Sequence, residues 1–197
     1  QRVADLLGRM TLAEKVAQCV QFFVLPETRE SIKQRIRQNG LGSRILTESN
    51  LAGGLTLRIA EVEDLNELQR VAVEETRLGI PLLYGRDVIH GHRTIFPIPL
   101  GMAATFDPSA VEQAFEIAAQ EASAVGVHWS FAPMLDIARD ARWGRIIEGF
   151  GEDPYLAAQL AAAAVHGFQG DLNPQGYYAK GRLMACAKHY IGYGAAE

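Results

Sequence analysis

Apolar residues recur at helical spacing in the first part of this chain, beginning with a capping box. Thr11 and Glu14 stand three positions apart, so hydroxyl and carboxylate can satisfy each other's backbone donors. The pattern predicts a helix over about residues 12–23, with an apolar face of Leu12, Val16, Cys19, Val20 and Phe23. A shorter helix carries Ile32 and Ile36 and ends at Asn39-Gly40, and another runs from about Val62 to Arg77.

Residues 43–47 and 54–58 are both strand candidates, and the pattern does not choose between them. From Pro81 onward the chain repeats a unit of buried strand, polar loop and amphipathic helix. The predicted strands are 81–84, 129–135 and 184–190. Two helices between them open alike, with Asp107-Pro108 and Asp153-Pro154 supplying an N-cap and a first-turn proline.

Strands that alternate with helices at this spacing indicate parallel βαβ units and an α/β fold. Counting one strand before residue 60 gives about four units. Four units make either half of an eight-fold barrel or a small open doubly wound sheet. A complete barrel needs roughly 250 residues, whereas this chain has 197.

The composition is that of a globular protein, with 48% hydrophobic and 21% charged residues. The net charge is -4, and the chain has no basic block, which argues against nucleic acid as a partner. No apolar run approaches the ~20 residues that cross a bilayer. The two cysteines lack metal-ligand spacing. Because the chain starts at Gln1, we expect that an upstream segment was processed away or left out.

Parallel strands present their carboxyl ends on one rim of the sheet, and polar residues follow three of the predicted strands. Asp87 lies after the first, the segment from Asp136 to Arg145 after the second, and Lys188-His189 near the end of the third. Carboxylate, guanidinium, ammonium and imidazole groups together suit an uncharged polyhydroxylated ligand, since Asp accepts and the others donate hydrogen bonds. The predicted ligand is a sugar.

Several of these residues also have a structural interpretation. An aspartate at a strand end is frequently only a turn residue, and Arg139, Asp140 and Arg142 fit an ion-pair network that shapes the loop around a packed Trp143. Lys188 lies on a strand whose preceding residues, 184–187, look buried on both faces, and it therefore needs a partner or a ligand.

Four long motifs, in this order, resemble the signatures of glycoside hydrolase family 3, in particular its bacterial β-glucosidases. The resemblance runs from about residue 10 to the end and is less typical at 41–60. The motifs are Leu78–Gly91, Thr94–Pro97, Arg139–Arg145 with Glu148–Pro154, and Cys186–Gly194.

The resemblance implies the first half of a TIM-type (β/α)8 barrel over residues 1–197, followed in whole enzymes by an α/β sandwich domain. It implies that Asp87 binds hydroxyls on the far side of a nonreducing glucose, and that Arg145, Lys188 and His189 contact the remaining ring hydroxyls. No metal or organic cofactor is implied. The Gly192-Tyr193-Gly194 turn favours the glucosidase branch over the N-acetylglucosaminidases of the family.

The family's chemistry is retaining hydrolysis of terminal β-glucosyl residues, with an aspartate nucleophile and a glutamate acid/base. We expect both beyond residue 197, so that the chain alone is inactive and the parent protein is the enzyme. Retention needs two carboxyls about 5 Å apart. Asp87 and Glu148 are not nominated as that pair, because the family gives Asp87 a binding role and Glu148 no catalytic one.

Two alternatives remain open. His90-Gly91-His92, with Lys188 and His189, resembles the metal site of barrel amidohydrolases, although a His-x-His pair is a weak signal. The other is a non-catalytic half-barrel that binds sugar or serves as a folding unit. We also expect the isolated chain to self-associate through unpaired barrel edges. The resemblance favours a periplasmic or secreted location, and a cytoplasmic one stays open.

Overall fold

The computed structural model describes residues 2–22, 28–38, 41–46, 49–51, 55–57, 62–171, 179–190, 192, 194 and 195. The chain divides into two compact units, Gln1–Gly85 and Arg86–Glu197. Each unit is built around parallel strand pairing, which confirms the predicted α/β class with a parallel sheet.

In the first unit, β1 (Gln21–Phe22) pairs in parallel with β2 (Ser43–Ile45), and β2 pairs in parallel with β5 (Leu83–Arg86), whose last residue begins the second unit. A separate antiparallel pair, β3 (Ser49–Leu51) and β4 (Leu55–Leu57), follows β2. Thus both candidate regions before residue 60 contain a strand, and only the first joins the parallel sheet. The count of one parallel strand before residue 60 was wrong, because Gln21–Phe22 is β1 and not the end of a helix.

Among its described residues this unit also has four helices: α1 (Arg2–Arg9), α2 (Leu12–Gln18), α3 (Arg29–Arg37) and α4 (Val62–Glu74). The sequence pattern missed α1. Helices α3 and α4 bury apolar residues that include Ile36, Leu68 and Val71. Their polar sides form ion pairs between the two helices: Arg29 with Asp64, Lys33 with Glu67 at 2.5 Å, and Arg37 with Glu75 at 2.8 Å. Asn39-Gly40, the predicted end of α3, lies outside the described residues.

The capping box at α2 is confirmed, but the helix ends at Gln18 instead of residue 23. The carboxylate of Glu14 accepts from the Thr11 backbone N–H at 2.8 Å and from Arg77 at 2.6 Å. These partners satisfy a charged side chain in a buried position, so α2 turns its Glu14 side inward. The predicted apolar face is accordingly exposed at Leu12, Val16 and Val20, and Phe23 lies outside the described residues.

The second unit contains α5 (Pro99–Ala103), α6 (Pro108–Ala124), β6 (Trp129–Ser130) and α7 (Pro154–Gln169). Both predicted aspartate caps are confirmed: Asp107 accepts from Ser109 N at 2.9 Å, and Asp153 accepts from Leu156 N at 2.7 Å. Helices α6 and α7 pack through small residues and the buried rings of Phe115 and Phe168, whose centroids are 4.7 Å apart.

The predicted strands 129–135 and 184–190 lie side by side and run parallel. Isolated bridges join Trp129 to Met184 and Met134 to Lys188, and Cys186 N donates to Ala132 O at 2.8 Å. Regular strand is limited to β6, since Pro133 has no N–H with which to continue a ladder. The pairing nevertheless brings the ends of both segments together, at Asp136 and at Lys188-His189.

Candidate functional site

Three short segments of the second unit carry the predicted site residues. Asp87 comes directly after β5, and Lys188-His189 lies where the 184–190 segment pairs with residues 133–135. Arg145 immediately precedes a single 3₁₀ turn, Ile146–Glu148. The peptide bond between Lys188 and His189 is cis.

Lys188 and Asp87 form a pair across 101 positions of sequence. The Lys188 ammonium donates to Asp87 Oδ1 at 3.5 Å. The lysine side chain is 13% exposed, whereas that of Asp87 is 55% exposed. This contact supplies the partner that a lysine in an apolar segment needs. It also leaves a large part of the carboxylate open to a ligand.

Arg145 is held by Glu148 through two parallel hydrogen bonds. Its Nε donates to Glu148 Oε1 at 2.6 Å, and its Nη2 donates to Oε2 at 2.7 Å. The guanidinium hydrogen bonds are the main reason that the pKa of Glu148 lies below its usual range. Glu148 is therefore an ionised partner of Arg145. Such bidentate pairs fix the plane of the guanidinium.

His189 connects the two sides of the site. Its Nε2 lies 3.5 Å from Nη1 of Arg145, and its Nδ1 lies 2.7 Å from Oδ2 of Asp136. The Asp136 side chain is fully buried. Asp136 follows a predicted strand in the sequence, and no specific role was predicted for it. Its position directly after an apolar strand that faces another strand ending in histidine is the signal that could have identified it.

A glycine turn packs against the strand end that carries Asp136. Gly194 has a φ of +149°, and a Cβ there would lie 2.1 Å from Ile137 O. Its carbonyl accepts from Arg139 N at 2.7 Å. Tyr193 of the turn lies outside the described residues. A groove of about 430 Å³ is lined by this turn and by residues that include Leu135, Asp136 and Arg139.

The structural role predicted for the loop before Arg145 is confirmed for Asp140, Arg142 and Trp143, but not for the side chain of Arg139. Arg142 donates to Asp140 at 2.6 Å, and this contact holds the pKa of Asp140 below its usual range. Trp143 is buried, and its backbone N–H donates to Asp140 O at 3.0 Å. Arg139 contributes through its backbone N–H, which donates to the carbonyl of Gly194 in the glycine turn.

The metal-site alternative relied on His90 and His92, and His90 makes a hydrogen bond to the backbone. His90 Nδ1 donates to Phe96 O at 2.9 Å. Across the described part of the chain, no group of three or more His, Cys, Asp and Glu side chains is placed to hold a metal ion. No helix among the same residues is long and apolar enough to cross a bilayer.

The charges of the site pair with one another, since two cations and an imidazole face three carboxylates. A ligand that enters such a set meets little net charge and many directed donors and acceptors. Uncharged hydroxyl-rich molecules use both kinds of partner, and the arrangement therefore suits a sugar.

Comparisons with known proteins agree with this chemistry. A family model described as "Glycosyl hydrolase family 3 N terminal domain" matches residues 11–197. A periplasmic β-glucosidase from Salmonella typhimurium is 37% identical over 196 residues, which cover 99% of this chain and 24% of the relative.

Solved structures give the same result. The crystal structure of a β-glucosidase from Listeria innocua in complex with isofagomine has a TM-score of 0.80 and 38% identity, covering 100% of this chain and 26% of that one. The same enzyme in complex with glucose has a TM-score of 0.80 and 37% identity, covering 100% and 27%. This chain spans about a quarter of the length of these relatives. The chain belongs to glycoside hydrolase family 3, and its residues 11–197 match the model of that family's N-terminal domain.

Proposed function

We propose that this chain is part of a retaining β-glucosidase that releases terminal nonreducing β-D-glucosyl residues, and that it supplies the glycone-binding residues. The observation that carries the proposal is the clustering of the Asp87–Lys188 and Arg145–His189 contacts within one unit. Relatives named β-glucosidase, one of them solved with glucose, support the substrate class.

In this proposal each site residue has a defined contact. The exposed oxygens of Asp87 accept from two neighbouring hydroxyls of the pyranose, a geometry that carboxylates favour. Lys188 and Arg145 donate to further hydroxyl oxygens, and His189 contacts the same ring. The salt links to Asp87 and Glu148 hold the two cations in place before the sugar enters, which reduces the entropy lost on binding.

The proposed domain organisation follows from the family. Residues 1–197 form the first half of a (β/α)8 barrel, and the remainder of the barrel and an α/β sandwich domain belong to the full-length protein. The aspartate nucleophile and the glutamate acid/base come from those parts, so the 197-residue chain alone is inactive. No metal or organic cofactor takes part in the proposed reaction.

Two further proposals concern the surroundings of the protein. A periplasmic location fits the named location of the Salmonella typhimurium relative. The isolated 197-residue polypeptide self-associates, because Val3, Leu12 and Val16 are exposed on its first two helices. Light scattering on the purified polypeptide tests this, and a monodisperse monomer with a cooperative thermal transition would contradict it.

The test of function is hydrolysis by the full-length protein. We expect turnover of an aryl β-glucoside, much slower turnover of the β-galactoside and the β-N-acetylglucosaminide, and β-glucose as the first product in a proton NMR time course. An α-glucose first product would refute retention. Absence of turnover of every aryl β-glycoside, with glucose still bound, would favour the non-catalytic alternative.

A further inference from the structure

Asp136 and His189 form a carboxylate–imidazole pair that sugar binding as proposed above leaves unexplained. Oδ2 of Asp136 and Nδ1 of His189 are 2.7 Å apart, and the carboxylate is inaccessible to solvent. A buried carboxylate is costly unless it accepts hydrogen bonds. In this contact, therefore, His189 Nδ1 carries a proton and donates a hydrogen bond to Asp136 Oδ2.

The opposite nitrogen of the ring faces a group that can only donate. Nε2 of His189 lies 3.5 Å from Nη1 of Arg145, and a guanidinium has no acceptor. Glu148 engages Nε and Nη2 of the same guanidinium, which keeps Nη1 on the His189 side. Both neighbours thus favour the same neutral tautomer, with the proton on Nδ1 and a lone pair on Nε2.

We propose that Asp136 is a positioning residue that fixes His189 in the Nδ1-protonated tautomer, so that Nε2 accepts a hydrogen bond from a hydroxyl of the bound pyranose. This inference rests on the proposed function. The 3.5 Å contact with Arg145 is long for a hydrogen bond. A sugar hydroxyl that reaches Nε2 at a normal distance can therefore replace it.

The consequence is a balanced set of sugar contacts. Asp87 and His189 Nε2 accept, whereas Lys188 and Arg145 donate. A hydroxyl bound to Nε2 is oriented with its proton toward the ring, and its oxygen lone pairs stay available to the nearby Arg145. Such a site discriminates against a sugar that lacks this hydroxyl, because the acceptor is then left unpaired.

A double-mutant cycle in the full-length protein tests the positioning role. Asp136→Asn has nearly the same size, but its amide can also donate to Nδ1, so the tautomer is no longer fixed. We expect a roughly 10- to 100-fold lower kcat/KM on an aryl β-glucoside. In a His189→Gln background the same substitution should change kcat/KM by less than about twofold. Additive losses would overturn the proposal.

A matched control lies elsewhere in the same unit. Asp171 accepts from His166 Nε2 at 3.1 Å, and its side chain is 93% exposed. Asp171→Asn therefore makes the same substitution in another aspartate–histidine contact, one that involves the Nε2 atom and lies at a solvent-exposed position. We expect its kcat/KM to equal that of the wild type.

The tautomer of His189 can also be measured in the wild-type protein, so this test does not depend on whether a variant folds. In full-length protein labelled with ¹⁵N-histidine, the His189 signals at pH 7.5 should show a protonated Nδ1 and an unprotonated Nε2. A proton on Nε2 would overturn the inference. If the wild type turns over no β-glycoside, the proposed function is refuted. If the wild type is active but the losses in the double-mutant cycle are additive, only this inference is refuted.

Discussion

The carboxylate of Asp87 lies 3.5 Å from the ammonium of Lys188, although the two residues are 101 positions apart in sequence. The lysine is nearly buried and the aspartate is half-exposed. Lys188 is therefore fixed by the residues around it, whereas Asp87 can bind a ligand. This arrangement makes Asp87 the most direct target for mutation.

Asp87→Asn in the full-length protein should lower kcat/KM on an aryl β-glucoside by about 100-fold. A hydrogen bond to a charged group contributes roughly 1.5–3 kcal/mol, and here the change affects two sugar hydroxyls and the contact with Lys188. Steady-state kinetics provide the measurement. Asp107→Asn is the control, because it also neutralises a carboxylate and asparagine caps a helix as well as aspartate does. Unchanged kinetics in Asp87→Asn would remove this residue from the site.

Glu148→Gln should raise KM more than it lowers kcat, by roughly tenfold in KM. The neutral amide cannot accept both guanidinium bonds, so Arg145 loses its fixed plane before sugar binds. Initial rates over a range of glucoside concentrations separate the two constants. Glu152→Gln changes an exposed neighbour and should leave both constants as in the wild type. An equal effect of the two substitutions would argue against a specific role for Glu148.

Gly194→Ala should abolish activity, with a destabilisation of more than about 2 kcal/mol. Its Cβ would lie 2.1 Å from Ile137 O, in a backbone conformation that side chains disfavour. Gly144→Ala offers a matched comparison, since no heavy atom beyond the two adjoining residues lies within 4 Å of a Cβ at that position. Thermal unfolding and activity of the two variants should differ strongly. A stable, active Gly194→Ala protein would show that the turn does not have this close approach.

The Glu14–Arg77 pair should make the first unit sensitive to acid. Arg77 is the main cause that lowers the pKa of Glu14 from 4.5 to about 2. A group with a lowered folded pKa stabilises fully above its ordinary pKa, and that contribution disappears as pH falls from 4.5 toward 2. Hydrogen exchange of residues 12–18, corrected for intrinsic rates, should therefore quicken between pH 5 and pH 3.

Glu14→Gln should remove most of this pH dependence and quicken exchange at pH 6, whereas Glu63→Gln, an exposed change in the same unit, should do neither. Exchange in the wild type that is independent of pH over this range would show that the ion pair does not stabilise α2.

The elements with a local signal were predictable from sequence. Asp107 and Asp153 cap their helices as expected, because a cap and the proline after it act within one turn. The apolar face of α2 was not predictable in this way. Burial there is decided by Arg77, 63 positions away from Glu14, and a local pattern contains no information about such a partner.

The site shows the same division. Asp87 and Lys188 can be selected from the sequence as polar residues at or near strand ends, and the structure shows that they meet. The role of Asp136 depends on the ring of His189, whose Nδ1 lies 2.7 Å from its carboxylate. This tertiary contact cannot be predicted from the sequence around either residue. Sequence thus identified the segments that form the site, and the structure was needed to show which side chains hold the others.

The position of a bound glucose ring tests the proposed site most directly. A crystal structure of the full-length protein with bound glucose should place ring hydroxyls within about 3.2 Å of Asp87, Arg145, Lys188 and His189, with one hydroxyl on His189 Nε2. Glucose bound elsewhere, with water on these four side chains, would contradict the account.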